Sequence, residues 1–512
     1  MAENIDYVLP EVTEAIETWQ RIRDVINGET AVKKRGKYLP YIMPSDKSQI
    51  NVDRNIAYAQ RAVFYGVTKR TLKGMIGQVV AKPPVLTVPQ LLEPLQDDID
   101  GGAVSIEQQS RQALSDTLSV GRLGLLTDYP LVEGRLARPT RADLLEGRIK
   151  PSVQYYFAEQ IINWRVEMVK GLRKLTLVVL LEKYIKKDDG FKKEEADQWR
   201  VLRLVRDNDA DEGRYVVQVY RKDEAGMFIV VPELSSMPVD AQAKPFTEIP
   251  FVIVGSDNND PGIDDAPLED MANLNIAHYR NSADHEESVF IVGQPTPVFA
   301  GMTKEWVEEV WGNKEIYPHG VAMGSRSPIP LPAGGSAELL QPDPNTLVFE
   351  AMKHKEEQMK ALGAKLVEPR TGTRTLGEAQ MDEASEASVL MSCAKNVSAG
   401  YTRCLRWAAM FAGAPVTDDI AYELNTDFEI SRMTADQRRQ LLAEWQAGAI
   451  STTEYRAILR RAGVATQEDE EYQEEVDAQT AKDMETQAAM FGTGGGNGFG
   501  GGGNDGGNGD EE

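Results

Sequence analysis

The sequence predicts an α+β fold that is mainly helical. Apolar residues recur at helical spacing near both ends of the chain, and short β-branched and aromatic runs fill residues 150–254. After residue 262 the pattern becomes helical again, with breakers between two long helical stretches. The 512 residues allow two to four domains.

The N-terminal region is predicted to be helical. Apolar residues at helical spacing predict a helix over 12–26, and residues 55–80 predict a second helix that stops at Pro83 and Pro84. A third helix is expected over 105–119. The short apolar run Leu123–Leu126 indicates a buried strand.

Residues 150–254 predict an antiparallel β meander. Apolar runs alternate with polar or glycine-bearing turns, and the short connections favour antiparallel neighbours. The expected strands are 155–157, 174–184, 199–205, 215–220, 227–231 and 251–254.

Two further helices flank a segment rich in breakers. Pro267 begins a helix that should reach about Ser288. Residues 289–342 contain seven prolines and seven glycines, so we expect only short strands and one brief helix at 303–311. A helix over 345–366 then carries a narrow apolar seam with alternating steps of four and three residues. The seam positions are Val348, Met352, Lys355, Met359, Leu362 and Leu366, with the lysine filling an apolar gap.

The longest predicted helix spans 375–413. Thr375 and Glu378 fit a capping box, and Gly400 could mark a kink. Its length would be about 55 Å, long for a compact domain. Helices are also expected over 434–447 and 451–463, followed by an acidic run and a Gly-rich tail that should be disordered.

The charge and cysteine content limit the function. The net charge is −24, and the chain after Gln467 holds thirteen acidic residues against one lysine. Tight phosphate binding calls for a basic face, so any DNA would be handled without strong adhesion. Cys393 and Cys404 are eleven residues apart in a helical stretch, too far for a disulfide, and are expected to be buried thiols. No predicted membrane span or signal peptide occurs, which predicts synthesis in the cytoplasm.

No catalytic constellation is evident, so we expect no enzyme activity, no cofactor and no metal. The glycine-rich tail lacks the strand and the Lys-Ser or Lys-Thr of a phosphate-binding loop. His278 and His285 share a predicted helix but lack the i, i+4 spacing of metal ligands, so a solvated or interfacial pair is expected. Carboxylate clusters at 257–260, 264–265 and 382–383 are interpreted as turns or solvated faces.

Several phrases, in order, resemble one subfamily of the portal proteins of tailed double-stranded DNA bacteriophages. The resemblance covers the chain to about residue 480. The phrases are Tyr38-Leu39-Pro40 with Arg61-Ala62, Thr68, Arg70-Thr71 and Gly77; the run from Gly121 to Pro130; the run from Tyr156 to Arg165; and Leu274 to Arg280.

The resemblance implies an architecture of wing, stem, clip and crown. The implied parts are a wing at 1–262, stem helix 1 at 263–290, a clip at 291–342, stem helix 2 at 343–366, a tunnel loop at 367–374, a long wing helix at 375–413, a crown at 414–482 and a disordered acidic Gly-rich tail at 483–512.

The resemblance also implies a function. It implies a ring of about twelve subunits at one capsid vertex, through which DNA is packaged, retained and ejected. The implied partners are other copies of the chain, double-stranded DNA, the terminase large subunit, the head-tail adaptor, and major capsid and scaffold proteins, with no membrane. The protein would be part of the virion.

Two groups of residues are candidates for contact with DNA or the channel. The expected DNA-facing tunnel loop comprises Lys365, Arg370, Thr371, Thr373 and Arg374. Its three basic side chains would meet DNA phosphates transiently, although Lys365 also fits ordinary helix-end charge. The expected channel and stem positions are His278, His285, Met352 and Met359. The seam on the second stem helix suits packing beside copies of itself.

Three other classes of function remain open. Another head-completion or neck protein would lack the helix–clip–helix order and the single long helix. A packaging nuclease or ATPase would need a phosphate loop or a metal triad, and the sequence shows neither. A host scaffold would usually show internal repeats, which are absent.

Overall fold

The computed structural model describes residues 4–129, 145–146, 148–208, 211–293, 296–319, 321, 329–340, 346–367, 389–426, 428, 435–446 and 449–461. Helices and antiparallel sheets both contribute substantially. The chain divides into two compact units, Met1–Thr426 and Asp427–Glu512.

The described helices follow the chain in this order: α1 Pro10–Asn27, α2 Glu29–Arg35, α3 Gln49–Arg61, α4 Val67–Val79, α5 Ile106–Val120, α6 Glu269–Val292, α7 Thr346–Val367, α8 Val389–Ala412, α9 Ala435–Gln446 and α10 Thr452–Arg461. Short helical turns occur at Gln90–Leu95, Ala158–Gln160, Pro232–Leu234 and Lys304–Trp306, the last continuing as a π-helical turn over Val307–Trp311.

The described strands are β1 Val85–Thr87, β2 Arg122–Asp128, β3 Ser152–Phe157, β4 Ile161–Val169, β5 Leu172–Asp188, β6 Lys193–Val205, β7 Arg214–Lys222, β8 Phe228–Val230, β9 Phe251–Gly255, β10 Thr296–Ala300, β11 Ser336–Leu340 and β12 Ala421–Glu423. They form four sheets, with strand orders β1-β12, β10-β11, β3-β2-β9 and β4-β5-β6-β7-β8.

The predicted first helix is confirmed as α1, but the single helix predicted over 55–80 is wrong. Helices α3 and α4 are separated by residues 62–66. The break lets Phe64 turn inward, where its ring meets Tyr279 of α6 edge-on at 5.8 Å and is only 7% exposed. Core packing thus overrides the helical pattern of the local sequence.

The meander is antiparallel as predicted, but it is shorter than residues 150–254. It comprises β4 to β8, and it includes β4, which sequence reasoning missed. The outer runs, β3 and β9, instead pair with the two edges of β2. All five residues of β9 are buried, which fits a strand that is covered on both faces and not one in a half-exposed meander.

Helix α8 packs on this three-stranded sheet. Gly400 lies where the helix approaches closely, because a Cβ there would be 2.6 Å from Val254 Cγ2. Helix α8 continues through Gly400, so the glycine serves close packing and not a helix break. The part of the predicted 375–413 helix over Val389–Ala412 is confirmed, and residues 375–388 lie outside the described residues.

Arg122 joins the sheet to the loop that precedes α6. Its side chain is fully buried, with its guanidinium 4.2 Å from the centre of the Trp164 ring. Nη1 donates to the carbonyl of Pro261 at 2.9 Å and also to that of Gly262. Burial lowers the pKa of Arg122 to about 10, which leaves the group charged at neutral pH.

The two cysteines are buried free thiols, as predicted. Burial raises the pKa of each to about 12, so neither is a reactive thiolate. In the second unit, α9 and α10 meet through Trp445 and Tyr455, whose rings stack at 5.0 Å.

Replacing Gly400 with alanine should destabilise the fold. The new methyl group would overlap Val254, and overpacking of this kind costs about 1–3 kcal/mol. Gly74 of α4 is the matched control, because nothing lies within 4 Å of the position that a Cβ would take there, and Gly74→Ala should stabilise by about 0.5–1 kcal/mol. Urea unfolding of both variants checks this. If Gly400→Ala stabilised the chain as much as Gly74→Ala does, the close approach of α8 to the sheet would be contradicted.

Candidate functional site

Helices α6 and α7 form an antiparallel pair. A Cβ on Gly363 would lie 3.6 Å from Met271 Cε, Glu356 Oε1 lies 3.4 Å from His278 Nε2, and the ring of Phe349 stacks on His285 at 5.8 Å. Successive contacts advance by seven residues along α6 and retreat by seven along α7. This is the spacing of an antiparallel coiled-coil contact.

The predicted seam of α7 lies beside its contacts with α6. Among the seam positions whose side chains are described, Met359 is 1% exposed and the others are half-buried. Lys355 fills its gap by donating from Nζ to Asn281 Oδ1 of α6 at 3.3 Å. This contact of Lys355 lies within the chain. Packing of the seam beside other copies of α7 stays a prediction.

Polar contacts hold α6 against the N-terminal helices. Asn275 Oδ1 accepts from the backbone N–H and the hydroxyl of Thr68, while its Nδ2 donates to the carbonyl of Tyr65 at 2.8 Å. Tyr58 donates its hydroxyl to Asp284 at 2.6 Å, and Arg61 pairs with Glu287. These contacts fix the rotation of α6 about its axis.

Additional polar contacts extend this attachment along α6. Arg21 of α1 pairs with Glu269 at 2.8 Å, at the first turn. Arg280 donates to the carbonyl of Tyr38, and the hydroxyl of Ser282 accepts from the N–H of Val63. Sequence reasoning missed these anchors, because the amide, hydroxyl and carboxylate groups on α6 resemble an ordinary solvated face until their partners are known.

His278 is the buried titratable group of this interface. It is 3% exposed, and Nδ1 has no hydrogen-bond partner in the described part of the chain. Desolvation lowers the pKa of His278 below its ordinary value of 6.5, although Glu356 opposes the shift. The sequence left two interpretations of His278 open, a solvated or an interfacial histidine. Its pairing with Glu356 confirms the interfacial one, and its burial shows that the solvated one is wrong.

The other predicted site residues fall in two groups. His285 and Met352 are half-buried in the helix pair, so all four stem positions lie on α6 or α7. Lys365 lies in α7, but its side chain is outside the described residues, as are Arg370, Thr371, Thr373 and Arg374. Whether any of them faces a channel stays a prediction.

The far end of the pair carries the two-stranded sheet. Strand β10 follows α6, β11 precedes α7, and they pair antiparallel from Thr296↔Leu340 to Ala300↔Ser336. Phe299 and Trp311 meet edge-on at 5.1 Å and form a small aromatic cluster with Trp306. The predicted short strands and brief helix of this segment are confirmed.

The carboxylate cluster at 257–265 forms a turn, as predicted. Asp264 Oδ2 accepts from the backbone N–H of Asp257 at 2.8 Å, and Asp260 accepts from the N–H of Gly262 at 2.7 Å. Within the described ranges, no group of three metal-binding side chains occurs. The cluster at 382–383 lies outside those ranges.

No helix in the described part of the chain is long and apolar enough to cross a membrane.

One family model matches the chain, over residues 267–412. It is described as a domain of unknown function, DUF4055. The match covers α6, the two-stranded sheet, α7 and α8, and so includes the whole helix pair. No curated protein matches the sequence.

Solved structures similar to the chain come from gene transfer agent particles. A chain of the virion of the native particle is 15% identical, with a TM-score of 0.39, over 80% of this chain and 94% of that chain. A chain of the neck of the native particle, computed with C12 symmetry, is 16% identical, with a TM-score of 0.37, over 79% and 93%.

Acidification should weaken the α6–α7 interface through His278. The ordinary pKa of an unfolded histidine is near 6.5, and the folded value is lower, so the unfolded chain binds more protons as the pH falls through 6.5. The free energy of unfolding should therefore fall between pH 7.5 and pH 5.5. His278→Leu should reduce that fall.

The control for this prediction is His354, an exposed residue of α7. His354→Leu should keep the pH dependence of the wild-type chain. Chemical unfolding of the wild-type chain and of both variants, at pH 7.5 and at pH 5.5, measures the free energy of unfolding. Titrating groups that the three proteins share cancel when their pH dependences are compared. Identical pH dependence in all three would show that His278 does not control it.

Proposed function

We propose that this chain is the portal subunit of a tailed-phage-like particle. About twelve copies would form a ring at one vertex of the capsid, through which DNA enters and leaves. The observation that carries the proposal is the antiparallel α6–α7 pair with a two-stranded sheet at its far end. It matches the stem–clip–stem order that the sequence phrases imply.

Exposed apolar side chains at the far end of the pair support assembly into a ring. Leu347 is 70% exposed at the start of α7, and Leu339 is 67% exposed on β11. Antiparallel pairing brings the end of α6 to the same place, and Val289, Phe290 and Ile291 are exposed there. Such clustered apolar exposure is typical of an interaction surface. In a cyclic ring it would pack against a different surface of the next copy.

The charge of the chain supports a channel in which DNA slides. A net charge of −24 disfavours tight phosphate binding. The exposed side of α7 carries both signs, with Lys353, Glu357 and Lys360. In this proposal, Lys365, Arg370 and Arg374 give brief contacts to DNA phosphates, with Thr371 and Thr373 beside them in the tunnel loop.

The remaining roles follow from the ring. We assign 1–262 and 375–413 to the wing, 291–342 to the clip and 414–482 to the crown, with terminase and adaptor docking on the ring. Capsid and scaffold proteins would surround it in the virion. In this proposal the protein is structural and has no enzyme activity.

A combined Leu339→Asp and Leu347→Asp variant should fail to form rings. Charges at an apolar contact leave buried, unpaired carboxylates, so each substitution should weaken the contact by about 2 kcal/mol or more. Light scattering gives the mass, and negative-stain images show whether a hole wide enough for a duplex is present.

The control for this assembly test is Met168→Asp, which puts the same charge on an apolar side chain that is 60% exposed in the meander. It should assemble like the wild-type chain. Circular dichroism should show all variants folded. A wild-type chain that forms a small closed oligomer without a channel would refute the portal proposal.

Reversing the charges of Lys365, Arg370 and Arg374 to glutamate should lower DNA packaging by about tenfold or more without affecting ring assembly, because three repulsive groups would then meet the phosphates. Reversal of three exposed lysines in the meander, Lys186, Lys187 and Lys192, is the control. Packaged DNA per particle is the readout. Unchanged packaging in the first variant would remove the proposed role of the loop.

A further inference from the structure

A cavity of about 830 Å³ lies on one face of the five-stranded sheet, away from the helix pair. Leu177, Val179 and Val201 form its apolar floor, and Asn4 and Ile5 of the N-terminal segment border it. Its volume is typical of sites that hold small molecules. Nothing in the proposed function uses it.

Two arginines stand on either side of this floor. Arg165 of β4 and Arg203 of β6 are both in register with Leu177 of β5, so their side chains share one face of the sheet. Their Cα atoms are two strand spacings apart, about 10 Å. Side chains of this length can converge on one group between them.

Neither arginine is neutralised by a carboxylate in the described part of the chain. The acidic residues of the cavity wall already have partners: Glu167 pairs with Arg206 at 2.7 Å, and Asp207 pairs with Arg214 at 3.0 Å. The described lining of the cavity therefore carries a surplus of positive charge, in a chain whose net charge is −24.

Thr176 adds a buried hydroxyl between the arginines. The register passes from Arg165↔Leu177 to Val166↔Leu175, which leaves Thr176 in a β-bulge without a partner on β4. The residue lines the cavity, is 6% exposed, and its Oγ1 has no hydrogen-bond partner among the described residues. Buried hydroxyls are nearly always hydrogen-bonded, and a bulge can turn a side chain toward a ligand.

We propose that this cavity binds the phosphate group of a small phosphorylated molecule. Arg165 and Arg203 would hold its oxygens from two sides, and Thr176 would donate a hydrogen bond. Guanidinium groups recognise phosphate through paired, charge-assisted hydrogen bonds. An anion with several charged oxygens suits two cations that approach from opposite directions. The amide of Asn163, which also lines the cavity, offers a further donor.

Calorimetric titration of the full chain tests the site, with inorganic phosphate, pyrophosphate and ADP as probes at an ionic strength held constant with chloride. Pyrophosphate or ADP should bind with a dissociation constant in the millimolar range or below. Tighter binding of ADP would indicate a nucleotide, whereas equal binding would indicate that phosphate alone is recognised. No heat from any probe up to about 10 mM, tenfold above a millimolar dissociation constant, would overturn the proposal.

Single substitutions test which side chains bind the phosphate group. Arg165→Gln and Arg203→Gln should each weaken binding about tenfold, the usual scale of one charged hydrogen bond. Arg173→Gln is the matched control, because Arg173 is an exposed arginine of β5 outside the cavity, and it should bind as the wild-type chain does. Equal affinity in all three variants would also overturn the proposal.

Thr176→Val separates binding from folding. It should weaken binding about threefold, while the thermal stability of the ligand-free chain stays equal or rises, because the variant removes an unpaired buried hydroxyl. A loss of stability with unchanged affinity would assign Thr176 a structural role and count against the site.

Discussion

The buried cation of Arg122 is the contact on which the placement of the helix pair depends. Trp164 covers one side of the guanidinium, and the carbonyls of Pro261 and Gly262 accept from its Nη1. Loss of its hydration must be offset by these contacts and by Glu11, Asp264 and Asp260, whose charges favour the protonated form. The loop that provides these two carbonyls continues to the start of α6. One buried charge therefore ties the sheet to the segment that leads into α6.

Polar anchors then fix α6 where apolar packing alone would permit rotation. Asn275 uses its whole side chain on Thr68 and Tyr65, and Asp284 accepts from Tyr58. A buried amide has few geometries in which all its groups are paired, so such contacts specify one orientation. Helix α7 adds three contacts at heptad spacing. Because each face of α6 is tied to a different neighbour, the pair is expected to behave as a rigid rod.

The sequence predicted the elements better than their partners. Spacing found the seam of α7, and the breakers at 289–342 correctly predicted short strands. It could not show that Lys355 of the seam bonds to Asn281 of α6 in the same chain, because seam geometry is the same for either partner. The break at 62–66 depends on Phe64 meeting Tyr279, and the separate sheet of β3, β2 and β9 depends on α8 covering it. The cation of Arg122 over Trp164 likewise joins two phrases 42 residues apart, and only the fold brings them together.

The pairing of α7 with α6 constrains how copies of the chain could meet. Along the middle of α7 the exposed side chains are mostly polar, such as Lys353, Glu357 and Lys360. Contacts between copies along this face would then be ionic. Exposed ion pairs contribute about 0–1 kcal/mol each, and salt screens them further. Stable association needs apolar area as well, and the end of the pair provides it at Leu339 and Leu347. A ring built in this way would be held mainly at one end of its helices, and the polar faces of α7 would remain available to line a channel.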